Sequence, residues 1–323
     1  MNTHTLTATS PFASRFGAWL RERFPFANAL LFFILYLSTA AVVRAGQLGS
    51  IGLSLQDLIG CLVTWSFFLL LRVLDEHKDY ALDCQNHPQR VLQSGLIELR
   101  HLKVVGLLAV AAQGLWSLWL DRAYGTLPGP VTLAWAVLML WTGLMAKEFF
   151  VHDWLNRHLI WYALSHMLVM PLVVWWLANL ALPGAALTPA LLSMMGLAFI
   201  SGFCFEITRK TKGPEEERES IDSYSRIFGT RGSAVLVLAL VTAMVANQLW
   251  LIDLLTARLP IWAVLLLLIF YGLAVHRLIA FIRAPSAALR GKNEAFVALA
   301  MLAGYAVLIA VAVLERGLTL SLI

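Results

Sequence analysis

The chain has 323 residues, 60% of them hydrophobic and only 13% charged, with a mean hydropathy of +0.76. Soluble domains run roughly 45–50% apolar and 25% charged, so a soluble globular protein is excluded. The net charge of +5 does not imply a nucleic-acid partner, because in so apolar a chain Lys and Arg mark cytoplasmic loops. Cys61, Cys84 and Cys204 form no CxxC pair, which argues against a disulfide framework and a zinc site.

Residues 11–26 mix Phe12, Phe16, Trp19, Leu20 and Phe24 with Arg15, Arg21 and Arg23, the pattern of an amphipathic helix on a membrane surface. The segment 1–26 is therefore expected to be interfacial, and 27–323 a single transmembrane domain. Apolar stretches follow at 27–46, 54–74, 101–121, 129–147, 158–180, 187–206, 233–253, 260–282 and 294–315. Each can cross a hydrocarbon core of roughly 30 Å. A β-barrel would instead show alternating segments of about ten residues. The expected fold is an all-α integral membrane protein with about nine transmembrane helices in a bundle. With the N-terminus cytoplasmic, all but Arg44, Arg122, Arg258 and Arg316 of the 24 basic residues fall on the cytoplasmic side. This predicts a multi-pass inner-membrane protein, N-terminus in and C-terminus out.

Two long cytoplasmic loops carry the carboxylates. The first continues the second span as Arg72-Val-Leu-Asp75-Glu76-His77-Lys78-Asp79-Tyr80-Ala-Leu-Asp83. On a helix Asp75, Asp79 and Asp83 are spaced i, i+4, i+8, and Glu76, Asp79 and Asp83 are spaced i, i+3, i+7, so either set lines one stripe. Like charges at these spacings repel, and Mg²⁺, which takes one or two carboxylates plus phosphate oxygens, is the natural counter-ion. Without a metal the same run reads as a solvated helix end balanced by Arg72 and Lys78.

The run continues through Asn86-His87-Pro88-Gln89-Arg90-Val91-Leu92-Gln93-Ser94-Gly95. Residues 75–97 resemble the signature of the UbiA-type intramembrane prenyltransferases: Asn-Asp-x-x-Asp-x-x-x-Asp, a spacer, His-Pro-x-Arg-Pro and a Ser-Gly pair. Asp75 stands at the family's Asn and Glu76 at its first Asp. Asp79, Asp83, His87, Pro88, Arg90, Ser94 and Gly95 match directly, while Val91 replaces the second Pro. The resemblance implies Asp79 and Asp83 as catalytic residues. It places Mg²⁺ on Asp75, Glu76, Asp79 and Asp83, and an isoprenyl diphosphate near Arg72, Lys78 and Arg90.

The second loop runs from Phe205-Glu206 through Arg209, Lys210, Lys212, Pro214, Glu215, Glu216, Glu217, Glu219 and Asp222 to Arg226. The family has a second Asp-rich motif here. In this chain Lys212 falls where one family Asp is expected and Glu216 near the other. Glu206, Glu215, Glu216, Glu219 and Asp222 are the candidates for a second, altered metal site. Arg209, Lys210 and Lys212 suit phosphate oxygens, Arg by bidentate contact and Lys as a point charge.

Between spans four and five lie Lys147, Glu148, His152, Asp153, Arg157 and His158. Lys147 is a further diphosphate candidate, though helix-end snorkelling also accounts for it. His152 and Asp153 suit a solvated loop. His166, Asn247 and Gln248 lie inside spans, where a polar side chain most simply bonds to a neighbouring helix. Trp175 and Trp176 read as interface anchors.

The expected activity is Mg²⁺-dependent transfer of an isoprenyl group to an unidentified acceptor, aromatic or lipid, within the bilayer. Two alternatives remain at this level: a membrane terpene cyclase of the same superfamily, which needs no acceptor, and a transporter or lipid-binding protein. A transporter usually carries its ionisable groups near the midplane, whereas here they cluster at one end.

Overall fold

The computed structural model describes residues 6–218 and 223–320. An amphipathic helix α1 (Phe12–Arg23) precedes α2 (Ala29–Gln47), α3 (Leu55–Lys78), the short α4 (Tyr80–Asn86), α5 (Leu99–Ala123) and α6 (Pro130–Ala146). Then come α7 (His152–Arg157), α8 (Leu159–Met167), α9 (Val169–Ala181), α10 (Pro189–Arg209), α11 (Tyr224–Leu255), α12 (Ile261–Arg283) and α13 (Ala287–Arg316). Among the described residues eight helical segments are long and apolar enough to cross a membrane, counting α8 and α9 as one, and α6 is a shorter apolar ninth. The chain is a multi-pass membrane protein, as the hydropathy predicts.

Helices adjacent in sequence pack side by side, from α2 on α3 through α12 on α13, and α13 returns to α2 to close the ring. Outward-facing leucines such as Leu108, Leu115, Leu140 and Leu265 stay exposed, as a lipid-facing surface requires. Inside, Trp176 is fully buried, edge-on to Phe67, and its indole N–H donates to Ser117. It is a core residue rather than the interface anchor expected from sequence.

Local chemistry explains the breaks. Span five divides between α8 and α9 because Pro171 lacks an N–H and its ring would meet the carbonyl of Met167, where α8 ends. Helix α11 is interrupted at Gly229, whose φ of 72° needs a residue without a Cβ. Helix α6 starts at Pro130, and the buried Asp121 carboxylate accepts the free N–H groups of Gly129, Val131 and Thr132.

Two features lie outside the sequence expectation. Residues Ile51–Leu53 (β1) and Leu318–Leu320 (β2) pair in parallel, Gly52 opposite Thr319. Helix α1 does not keep its apolar side free for lipid. Ala18 and Trp19 are buried in a cluster with Val73, Val91, Leu92, Ile97 and Leu102.

Candidate active site at the basic end of the bundle

The stripe of carboxylates forms where α3 runs out of the bundle. Asp75 and Glu76 lie in its last turn, Asp79 is its C-cap, and Asp83 follows on α4. These groups are not equivalent. Glu76 is buried and held by Arg72 and by Arg23 of α1, Nε to Oε1 at 2.6 Å, while its second oxygen has no partner. Asp83 is tied to Arg90 at 2.9 Å and to Arg23 at 3.4 Å. Asp75 and Asp79 are partly buried with surface left open to solvent, and among the described residues neither enters an ion pair or a side-chain hydrogen bond. Burial raises the Asp79 carboxyl above the ordinary carboxylate range; Lys78 opposes the rise, while Asp83, Glu148 and Glu76 add to it.

Basic groups surround the pair. The Lys78 ammonium meets Glu148 at 2.8 Å and donates to the Tyr162 hydroxyl. Lys210 lies 5.7 Å from the centre of the same tyrosine ring, and Lys78 lies 5.0 Å from it. Glu206 pairs with both Arg209 (2.8 Å) and Lys210 (2.9 Å) at the end of α10. Glu148 sits in a left-handed turn, since Glu148, Phe149 and Phe150 have φ of 46°, 53° and 59°. Such residues cost of order 1–3 kcal/mol each and persist only where neighbours fix them. Here the fixing contacts run from the buried Glu148 to Lys78 and His152. Burial pushes the Glu148 carboxyl upward, but the bonds from Lys78 and His152 outweigh it and hold the group below its ordinary value.

The second loop is used differently. Glu215 accepts the Ala287 N–H at 2.5 Å. Glu216 accepts the Gly213 N–H and pairs with Arg290 at 2.9 Å, and despite burial those bonds hold its carboxyl low. Both glutamates tether the loop to the start of α13. The Lys212 backbone N–H is bound by Ser225 at 2.8 Å, and its side chain lies near Glu216. Lys147 caps α6 and is exposed, with no ion pair among the described residues. Glu219 and Asp222 lie outside the described residues.

Sequence reasoning missed three participants. Arg23 belongs to a helix assigned to the membrane surface, and only the packing of α1 carries it to Glu76 and Asp83. Tyr162 and Glu148 sit in unremarkable sequence. Val91 also acquires a reason: its N–H donates to Glu22 of α1 at 2.9 Å, a bond that proline at this position would lack.

Among the described residues no three His, Cys, Asp or Glu side chains converge to hold a metal ion by protein ligands alone. That suits Mg²⁺ bound jointly by protein and phosphate, which takes only one or two carboxylates from the protein. The unpaired Asp75 and Asp79, four residues apart and mutually repelling, fit that requirement. Beside the site an apolar groove runs between α8, α10 and α11, enclosing about 820 Å³ including space open to its surroundings. Ile160, Leu164, Phe203, Ile207, Phe228 and Leu236 line it.

The closed ring of membrane helices is the fold of a solved membrane prenyltransferase of UbiA type. It superposes on a solved structure of digeranylgeranylglyceryl phosphate synthase in membranes with a TM-score of 0.65. The match covers 93% of this chain and 99% of that one, at 16% sequence identity. No family model and no curated protein matches the chain by sequence.

Proposed function

We propose that this protein is a prenyltransferase of the inner membrane. It takes an isoprenyl diphosphate at the cytoplasmic face, with Mg²⁺, and passes the isoprenyl group to an acceptor held in the bilayer. The observation that carries this reading is the pair of unengaged carboxylates, Asp75 and Asp79, set among Lys78, Arg209 and Lys210 at the mouth of the bundle. Glu76, Asp83, Glu148, Glu206 and Glu216 at the same end each pair with a basic side chain, whereas Asp75 and Asp79 do not.

In this reading Asp75 and Asp79 would hold Mg²⁺, with Asp83 joining if Arg90 and Arg23 move to substrate oxygens. Bound there, Mg²⁺ would supply Lewis-acid stabilisation of charge on the diphosphate. Lys78, Lys210 and Arg209 contribute fixed positive charge where the leaving group gains negative charge. The groove between α8, α10 and α11 accepts the isoprenyl chain and keeps water from the allylic carbon. The basic loops at this end support a cytoplasmic placement by the charge rule for membrane topology.

The test is diphosphate release by the purified chain from a panel of allylic diphosphates, with and without Mg²⁺ and acceptors. Release that needs Mg²⁺ and is lost in Asp79→Ala and Asp83→Ala is expected. Release that needs no acceptor and yields a cyclised product would point to a cyclase. No release from any donor would end the enzyme reading.

A further inference from the structure

Helix α1 is fastened to the loop that follows α4. Arg15 donates to the Leu96 carbonyl at 2.8 Å, Glu22 accepts the Val91 N–H at 2.9 Å, and between them Ala18 and Trp19 are buried. These contacts place Arg23, the last residue of α1. Its Nε reaches Glu76 on α3 at 2.6 Å and its Nη2 reaches Asp83 on α4 at 3.4 Å. One guanidinium therefore spans two helices. Between its two partners lies Asp79, a bend with φ −91° and ψ 2° that ends α3 and opens α4. Arg72 holds the same Glu76 oxygen from within α3, so Glu76 is the fixed end of the bridge and Asp83 the end it positions.

Helix α4 needs such an anchor. It has seven residues and buries none of them, and an isolated helix below about 12–15 residues is marginal in water. Tyr80 packs against the cluster that contains Trp19, and Asp83 is held by Arg23 and Arg90. Arg90 itself precedes Val91, whose N–H is bound to α1. Both guanidiniums on Asp83 thus depend on where α1 sits. A guanidinium presents its N–H groups in fixed directions, so a bridge through Nε and Nη2 sets the angle between the two helices as well as their distance.

We propose that Arg23 is a positioning residue of the donor site: it clamps α4 to α3 across Asp79, and so sets the Asp79 carboxylate relative to Asp75 before any substrate arrives. The inference rests on the prenyl-transfer reading above for what binds there, a divalent cation with the donor diphosphate. Arg23 acts through Glu76 and Asp83, and α1 becomes a strap that holds the site in its receptive shape.

The experiment uses the full chain in lipid nanodiscs. Amide hydrogen exchange of residues 80–86 is read without metal, and Mn²⁺ binding is read by electron paramagnetic resonance, alone and with an allylic diphosphate. Arg23→Gln removes the bridge, Arg23→Lys keeps a charge that does not reproduce the planar fork, and Arg15→Gln loosens α1 at the end remote from Asp79. In Arg23→Gln residues 80–86 are expected to exchange faster and Mn²⁺ affinity to fall by roughly 10–100-fold, the range for groups that orient metal ligands. Arg23→Lys is expected to recover only part of either, and Arg15→Gln to stay near wild type in both. Unchanged exchange and affinity in Arg23→Gln would overturn the proposal, as would full recovery in Arg23→Lys, which would make charge and not the bridge the cause. Equal losses in Arg15→Gln and Arg23→Gln would assign the effect to docking of α1 alone and overturn it too. Wild type that binds Mn²⁺ and donor yet releases no diphosphate would end the transfer reading and leave the clamp standing. Wild type that binds no Mn²⁺ under either condition would end both.

Discussion

The two ends of the bundle use the same chemistry to opposite purpose. At the end remote from the acidic loops, Arg44 and Asp57 form a closed unit. The Nη2 and Nη1 groups donate to the carboxylate at 2.8 and 3.1 Å; Nη1 also donates to the Gly52 carbonyl, and Nη2 and Nε to that of Ala181. Asp57 also accepts from the Tyr36 hydroxyl and the Ser54 N–H, both at 2.8 Å. The guanidinium and both carboxylate oxygens are engaged, and the β1–β2 pair joins the same end. At the basic end, Asp75 and Asp79 are unpaired, Glu76 has an idle oxygen, His166 has an idle nitrogen, and three successive residues are left-handed. A satisfied buried network fixes a structure, whereas unmatched polar groups mark where something else must bind.

That contrast can be broken from either side. The largest effect is expected for Asp57→Ala, which strands the Arg44 guanidinium. The cost should be about 3–5 kcal/mol, read by denaturation in detergent, with turnover per folded molecule unchanged. A loss of turnover without loss of stability would erase the distinction. Asp79→Ala should do the reverse: diphosphate release falls by roughly 10²–10³-fold while the melting temperature holds. Val91→Pro deletes the N–H that Glu22 accepts, and a hydrogen bond to a charged group contributes about 1.5–3 kcal/mol. Loosening of α1, seen as faster proteolysis near Arg23 together with weaker Mg²⁺ binding, would tie α1 to the site. Unchanged Mg²⁺ binding with α1 loosened would confine it to a structural role.

The smallest effect concerns pH. Burial raises the Asp79 carboxyl in the metal-free fold, so the folded chain holds that proton more tightly than the unfolded chain does. Its contribution to stability is full below the unfolded pKa and is lost as pH rises through the raised value. Mg²⁺ binds the ionised form, so its affinity should keep rising with pH above the ordinary carboxylate range before levelling. Titrating Mg²⁺ into wild type and Asp79→Asn at several pH values checks this. A curve already flat in that range in wild type would mean that Asp79 is not a ligand.

The contrast also marks the limit of reading from sequence. The first acidic loop was legible because its residues are local: one helix exit carries Asp75, Glu76, Asp79 and Asp83 at fixed spacing, and Arg90 follows in the same run. The second loop was less legible. Glu215 and Glu216 look like metal ligands in sequence, but α13 comes close enough to claim both through Ala287 and Arg290. Arg23 read as a membrane-surface charge because nothing local says that Trp19 will be buried. Tyr162 carries no signal of its own, and Glu148 and His166, noted in the sequence only as a helix-end charge and a polar group inside a span, come together with it because α8 and the turn after α6 meet the end of α3.

By itself the sequence determined the membrane class, the approximate positions of the spans and the acidic stripe. Hydropathy, proline geometry and helical periodicity are properties of neighbouring residues, and they need no partner. Only the tertiary structure decided which carboxylates are engaged and which are left open. An ion pair forms between groups far apart in the chain, and each buried charge is matched or left unmatched by what packing brings to it.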